Sequence, residues 1–341
     1  MTVALFANFE NPFGDTRRAL HEAVETVVHA EHLGFDQVWL TEHHFNAFSV
    51  SASIFPLLAH LAARTTRIGL GAAAVLLPFH DPVRVAEDAA TVDALSDGRL
   101  LLGIARGGPF PDQFRHFGVS HDASRERMFE ALALLEKLFA GTGVDHTSPH
   151  FHYQNLSVYP RPIRSPSPIW LASLAPESLA LAAERGYGLM GPSAAPAEKV
   201  AERLRAFAAH QPAASPPFVL ARYFHCHRSR DRAREEAAPF IRDFAQNMRA
   251  AARAIFSQDG PVQPFGQPAA AYEVDRLLAN AIVGDPTACV DQCLSLREAI
   301  GPHVLLLKPA TYDPITCRRA LTMFAERVRP ALNEAIEPAG V

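Results

Sequence analysis

The stretch "RIGLGAAAVLLPFHDPVRVAEDAATVDALSDGRLLLGIARG", residues 67–107, decides the fold class. Its first apolar run predicts a β-strand over 68–75, and the 3.6-residue pattern after Asp81-Pro82 predicts a helix over 82–96. A second apolar run predicts a strand over 100–105. Short strands that alternate with longer helices are typical of βα units around a parallel sheet.

The same alternation runs along the whole chain. Strands are predicted at 3–8, 37–41, 68–75, 100–105, 169–173, 187–191, 219–225 and 303–307. Helices are predicted at roughly 16–33, 50–64, 82–96, 124–140, 176–185, 196–210, 230–253, 286–300 and 315–335. Eight strands followed by helices predict an α/β fold, a (β/α)8 TIM barrel that forms a single domain over 1–341. The alternative is a doubly wound open sheet, which the lack of a GxGxxG motif after the first strand disfavours.

Two stretches interrupt this rhythm. An insert at about 143–167 contains a hairpin-like segment over 151–159, and a second insert at about 254–284 carries "SQDGPVQPFGQPAA". A long loop rich in Pro, Gly and Gln inside a compact domain is usually functional. We therefore predict that 257–270 forms a lid near the barrel mouth.

Composition excludes several classes of protein. The formal net charge is −4, and no basic stretch is interleaved with aromatic residues, so nucleic acid is not an expected partner. The longest apolar stretches fall short of a membrane span. Cysteines are scattered at 226, 289, 293 and 317 without a CxxC pair, which fits a reducing cytoplasm.

The segment "WLTEHHFNAF", residues 39–48, places Glu42, His43 and His44 directly after the second strand. In a barrel this is the catalytic face, where a histidine beside a carboxylate suits proton transfer. If the strand continued through both histidines, their side chains would point to opposite sides. In the alternative, Glu42 and His44 only hydrogen-bond the adjacent loop. The "HCH" spacing at 225–227 is a weak metal signal, and no metal is expected.

An anion site is predicted at 173–178, "SLAPES", which has the pattern of a strand-to-helix turn with proline in the first helical turn. Free backbone N–H groups at such a turn favour an anion.

Several segments resemble one known family. They are "AEHLGFDQVWLTEHHF" (30–45), 67–107, "FRHFGVSHDASRERM" (114–128), "PIWLASLAPESLALAAERGYGLM" (168–190) and "IVGDPTACVDQC" (282–293). Together, and in this order, they resemble the bacterial luciferase-like flavin-dependent monooxygenases, including chains of the alkanal monooxygenase type. The resemblance covers most of the chain and implies the same TIM barrel.

The resemblance also implies a chemistry. Reduced FMN (FMNH2), delivered by a separate NAD(P)H:flavin reductase, would react with O2 to a C4a-peroxyflavin in a water-excluding pocket. The expected substrate is a hydrophobic organic molecule, an aldehyde, ketone or aromatic, with natural-product tailoring as one setting. The alternatives are an F420-dependent oxidoreductase and a non-catalytic flavin-binding protein. The resemblance implies a homodimer, and apolar outer helices such as 50–64 would suit its interface.

Individual residues carry over by position. His43 matches the catalytic histidine of the family, and Glu42 and His44 match its neighbours. The flavin ring is expected against Ala73-Ala74, which the resemblance predicts to be joined by a cis peptide bond. Ala105 stands where light-emitting relatives have a reactive cysteine, which argues against a luciferase.

The resemblance matches two arginines to phosphate-binding positions of the family, so the cofactor phosphate is expected between them and the 173–178 turn; guanidinium groups and free N–H groups suit phosphate oxygens. The residues concerned are Arg106, Arg125, Ser173, Leu174, Ala175 and Ser178. Glu177 must then point away. Four residues at or just beyond strand ends are candidates for an apolar substrate pocket: Phe6, Phe45, Phe110 and Met190.

Overall fold

The computed structural model describes residues 1–108, 110–164, 167–208, 212–255 and 273–336. The predicted lid at 257–270 lies outside these residues. None of the helices in the described part of the chain is long and apolar enough to cross a lipid bilayer.

A closed barrel of eight parallel strands confirms the predicted (β/α)8 fold. The strands of the structure are β1 (Val3–Ala7), β2 (Gln37–Leu40), β3 (Gly69–Leu76), β4 (Leu100–Ala105), β5 (Val144–Thr147), β6 (His152–Leu156), β7 (Ile169–Leu171), β8 (Gly188–Gly191), β9 (Val219–Cys226), β10 (Ile282–Gly284) and β11 (Val304–Pro309). Around the barrel the order is β1-β2-β3-β4-β7-β8-β9-β11, and β11 pairs with β1 to close it.

The helices surround this barrel. They are α1 (Thr16–His32), α2 (Ile54–Arg64), α3 (Pro82–Leu95), α4 (Pro111–Phe117), α5 (Ser124–Ala140), α6 (Pro176–Arg185), α7 (Ala197–Ala208), α8 (Arg230–Ile255), α9 (Val274–Ala279), α10 (Pro286–Ile300), α11 (Pro314–Met323) and α12 (Arg329–Ile336). Three of them, α3, α10 and α11, begin with an aspartate followed by proline. Each aspartate side chain accepts a backbone N–H of the first turn, and the proline needs no partner there.

The two inserts contain structure that the sequence pattern did not predict in detail. The first holds the antiparallel hairpin β5–β6, so the predicted 151–159 segment supplies only its second strand. The second holds α9 and β10, and β10 pairs in parallel with the end of β9. The helix predicted over 50–64 begins only at Ile54, because Ser51 is held in the preceding loop by a hydrogen bond with Thr41.

Two tryptophans pack in the interior of the barrel, beside smaller apolar side chains. Trp39 of β2 and Trp170 of β7 meet edge to face, with ring centroids 5.2 Å apart. Glycines make room for both rings: a Cβ added at Gly71 would lie 2.3 Å from Trp39, and one at Gly188 would lie 2.3 Å from Trp170. The indole N–H groups are satisfied, that of Trp170 by the carbonyl of Pro217. Any site must therefore lie above these rings, at the carboxyl ends of the strands.

Gly71→Ala should destabilise the protein by about 1–3 kcal/mol, because a Cβ would overlap the Trp39 ring in a closely packed interior. Urea unfolding followed by far-UV circular dichroism measures the change. Gly141→Ala is the control, since Gly141 has extended backbone and nothing within 4 Å of an added Cβ. Equal losses in both variants would contradict the tight fit around Trp39.

Candidate active site

A buried carboxylate organises the loops at the carboxyl ends of β2 and β3. The side chain of Glu42 is fully buried. His44 and His80 donate from Nε2 to its Oε1, at 2.7 and 2.6 Å, and the backbone N–H of Leu76 donates to its Oε2 at 3.1 Å. Strand β2 ends at Leu40, so strand alternation does not govern the histidines that follow it.

The hydrogen bonds of the triad of Glu42, His44 and His80 favour the charged forms of Glu42 and His80. Burial raises the pKa of Glu42, but the hydrogen bonds from His44 and His80 outweigh it and the pKa is lowered. Burial lowers the pKa of His80, but Glu42 and the charge of Asp88 outweigh it and the pKa is raised. Glu42 therefore stays ionised and favours the protonated form of His80.

The same triad is the one set of three or more histidine, cysteine, aspartate and glutamate groups in the described ranges whose potential ligand atoms lie within 4.8 Å of one another. Both histidines contact the same carboxylate oxygen at hydrogen-bond distance. We therefore interpret the set as a hydrogen-bonded triad.

His43 is separate from this triad. Burial and, after it, the charge of Lys308 lower its pKa to about 4, although the charge of Glu42 opposes the shift. Its ring lies edge to face with Phe110, at 6.0 Å between centroids. His43 is therefore neutral at pH 7 and has one ring nitrogen that can donate a proton and one that can accept it.

Two arginines lie together where β4 ends. Burial, followed by the charge of Arg125, lowers the pKa of the Arg106 guanidinium, so the two cations act on each other electrostatically. Arg106 donates from Nη2 to His121 Nε2 at 3.2 Å. Arg125 Nη1 lies 2.7 Å from Glu177 Oε1. The prediction that Glu177 points away is wrong: beside two adjacent cations, its carboxylate is an anion within reach.

The turn between β7 and α6 lies on the neighbouring strand, since β4 pairs with β7. Ala175 is the N-cap of α6, with Pro176 in the first turn, and its N–H donates to Ser173 Oγ at 3.2 Å. Ser178 is buried in that turn, and Leu174 packs against the core. The turn thus directs the first helical N–H groups toward the end of the barrel that also carries Arg106.

The end of β3 is irregular. The peptide bond between Ala73 and Ala74 is cis, as the sequence resemblance predicts. The pairing of β3 with β4 shifts register between Ala72 and Val75, around this bond. Ala73 packs against the barrel interior.

The four candidate pocket residues separate into two groups. Phe6 and Met190 face the barrel interior, and Phe110 lies against His43. Phe45 does not line the interior: it is 53% exposed, its φ is +57°, and its ring packs on Phe117 and His116 at the surface. The loop after β2 turns outward at this residue, which carries the ring away from the mouth.

Sequence reasoning missed two residues of this region. His80, the second partner of Glu42, stands just after β3, where the barrel rule directs attention to polar residues. Lys308 lies at the end of β11 and is only 7% exposed. The strand predicted over 303–307 stops one residue short of it, although a lysine after "VLLL" is an unusual way to end an apolar strand.

Glu42→Gln should lower the pKa of His80, because burial would then be opposed only by Asp88. Histidine ¹H–¹⁵N NMR titration measures it, with His80→Asn to assign the signal. Glu177→Gln is the matched control, since Glu177 contacts Arg125 instead. A His80 pKa that is unchanged in Glu42→Gln would refute the role given to this carboxylate.

Comparisons with known proteins place these features in a family context. A family model described as luciferase-like monooxygenase matches residues 1–303. Limonene 1,2-monooxygenase of Rhodococcus erythropolis is 27% identical over 354 residues, which covers 98% of this chain and 87% of that protein. The oxygenase component of flavin-dependent trigonelline monooxygenase from Acinetobacter baylyi is 30% identical over 191 residues, 54% of this chain and 52% of that protein.

Solved structures are similar over the whole barrel. Monooxygenase RslO1 from Streptomyces bottropensis has a TM-score of 0.82 at 26% identity, covering 97% of this chain and 99% of that one. The oxygenating constituent of 3,6-diketocamphane monooxygenase from Pseudomonas putida, solved with FMN, has a TM-score of 0.77 at 18% identity and covers 97% and 98%. An F420-dependent secondary alcohol dehydrogenase has a TM-score of 0.75 at 18% identity and covers 97% and 98%. The last two likenesses concern the fold alone.

Proposed function

Because this chain belongs to the luciferase-like monooxygenase family, we propose that it is an FMNH2- and O2-dependent monooxygenase of a hydrophobic organic substrate. A separate NAD(P)H:flavin reductase would supply the reduced flavin, as the words "oxygenase component" indicate for the trigonelline enzyme. The free thiols of all four cysteines fit a cytoplasmic setting.

One observation carries the proposal: the required groups follow four adjacent strands of the barrel. His43 comes after β2, the Ala73-Ala74 bond lies in the second half of β3, Arg106 directly follows β4, and the Ser173–Ser178 turn follows β7. A mononucleotide needs cations and N–H groups at its phosphate end and small residues beside its ring. The side chains present fit FMN in this orientation.

Bound reduced FMN would supply the electrons with which O2 is activated. Arg106, Arg125 and the first turn of α6 would hold the phosphate. Neutral His43 would hold or move a proton at a ring nitrogen close to the reacting oxygen. Phe110 and Met190 would exclude water, which protects a reactive flavin from side reactions.

The pocket favours an apolar substrate of the aldehyde, ketone or aromatic class, with Phe6, Phe110 and Met190 as its lining. Hydride transfer with F420 is the second enzymatic candidate, since an F420-dependent dehydrogenase shares the fold. The flavin-dependent relative favours FMN. A non-catalytic flavin-binding protein is the third candidate, and it would not need a neutral His43 in the barrel mouth.

A homodimer remains part of the proposal. The apolar residues of helix 50–64, which were expected to suit its interface, do not support it. The apolar residues of α2 pack inward against the barrel: Ile54, Phe55, Leu58, Leu61 and Ala62 are all buried. Its exposed residues include Pro56, His60 and Arg64. The apolar composition of α2 is therefore explained by its packing against the barrel.

Glu177→Gln should strengthen FMN binding by up to about fivefold, because the carboxylate competes with the phosphate for Arg125 and a partly exposed ion pair is worth roughly 0.2–1 kcal/mol. Arg125→Met should weaken FMN binding by roughly 10- to 100-fold, the value of a charge-assisted hydrogen bond. Fluorescence titration measures both. Riboflavin, which lacks the phosphate, is the control ligand and should respond to neither substitution; a matching response would place the phosphate elsewhere.

His43→Ala should retain FMN binding and lose product formation, because the phosphate contacts lie on other strands. The first measurement is stopped-flow absorbance after protein mixed anaerobically with FMNH2 meets air-saturated buffer. In the wild type, the bound flavin should reoxidise more slowly than free FMNH2. In His43→Ala, it should reoxidise faster than in the wild type. Wild-type protein that reoxidises at the free-flavin rate would sink the proposal and make F420 the next cofactor to test.

A further inference from the structure

Lys308 occupies the top layer of the barrel interior. Along β11, Val304 and Leu306 face inward, whereas Leu305 and Leu307 pack outward against the helices. Lys308 is the next inward residue, and it stands in register with Tyr223 of β9. Three aromatic rings surround its ammonium group, with centroids at 5.4 Å (Phe6), 5.2 Å (Tyr223) and 5.0 Å (Phe244).

This ammonium group is costly to bury. In the described ranges no carboxylate lies within 4.0 Å of it, although the charge of Glu10 acts on it from farther away. Burial lowers the pKa of Lys308, and Glu10 opposes that shift. Aromatic faces recover only part of the hydration that a buried ammonium group loses. A nearby anion would recover more of this cost than any group in the cage does.

The position of Lys308 separates it from the proposed phosphate site. In the eight-strand order, β11 lies directly across the barrel from β4, which carries Arg106 at its end. Lys308 therefore belongs to the half of the mouth formed by the ends of β1, β9 and β11. His43 is electrostatically coupled to it, since the charge of Lys308 acts on that ring.

We propose that Lys308 is a substrate-binding residue that receives an acidic hydroxyl group of the substrate, a phenol or enol, as the oxyanion. This inference rests on the proposed monooxygenase function and narrows its substrate class to planar hydroxylated compounds. The rings of Phe6, Tyr223 and Phe244 flank the same ammonium, and they offer an aromatic substrate faces and edges to pack against. An ammonium within a cage of this kind binds a phenolate better than a hydrocarbon or a saturated aldehyde.

Three titratable groups face Lys308 and shape the pH dependence. Glu10, after β1, has a raised pKa because burial outweighs the charge of Lys308. His43, after β2, is neutral above about pH 4, and Tyr223 comes from β9. Binding of an oxyanion beside Glu10 favours protonation of that carboxyl group, so phenolate binding should take up a proton.

The test uses 4-nitrophenol, whose ionisation is visible in its absorbance, and 4-nitroanisole, which cannot ionise. The purified protein is titrated with each, with and without oxidised FMN. In the wild type the midpoint of 4-nitrophenol ionisation should fall by about one pH unit or more, the effect of a nearby opposite charge. Lys308→Met should abolish the fall and leave the affinity for 4-nitroanisole within about twofold.

Lys199→Met is the matched control, since Lys199 is an exposed lysine on α7 that pairs with Glu202. Lys308→Arg keeps the cation and should retain at least part of the fall in the midpoint. It also tests the proposal if Lys308→Met does not fold. The proposal is wrong if the wild type does not bind 4-nitrophenol or leaves its midpoint unchanged. It is also wrong if Lys308→Met weakens FMN binding instead. None of these measurements needs O2 or turnover, so they succeed or fail separately from the monooxygenase assay.

Discussion

The packing of two indole rings inside the barrel is the constraint on which the site depends. An eight-stranded barrel is just wide enough for its own side chains to fill it. Trp39 and Trp170 pack against each other in the interior, and the absence of a side chain at Gly71 and Gly188 leaves room for their rings. Chemistry is thereby confined to the layer above, where the strands end. That layer combines inward residues such as Phe6 and Lys308 with loops that Glu42 ties together.

The fold could be predicted from sequence because it depends on many weak signals that agree. The alternation of strand and helix patterns located all eight barrel strands, and the Asp81-Pro82 pair located the start of α3. The short strand β10 was not predicted, since it has three residues and its pairing partner, β9, is far away in sequence. The late start of α2 escaped for a similar reason: the bond between Thr41 and Ser51 is a tertiary contact.

The site was predictable only where local sequence determines position. Glu42, His43 and Arg106 follow strands directly, so the barrel rule places them at the mouth. Which groups contact one another depends on loops that converge in space, and no local pattern shows that His80 shares a carboxylate with His44. The pairing of Glu177 with Arg125 likewise follows from electrostatics between the first turns of two helices, α6 and α5. Phe45 faces outward because its backbone adopts a left-handed conformation, which is rare for a residue other than glycine.

The contact between Arg125 and Glu177 lowers the excess positive charge of the proposed phosphate half of the mouth when no anion is bound. Both side chains are partly exposed, so the pair adds little to folding stability and is cheap to open. In a two-component system the oxygenase stands empty between deliveries of flavin. During that interval Arg106 and Arg125 would repel each other without an anion between them. In the proposed function, Glu177 would act as a counterion of Arg125 that an arriving phosphate displaces and that pairs again when the phosphate leaves.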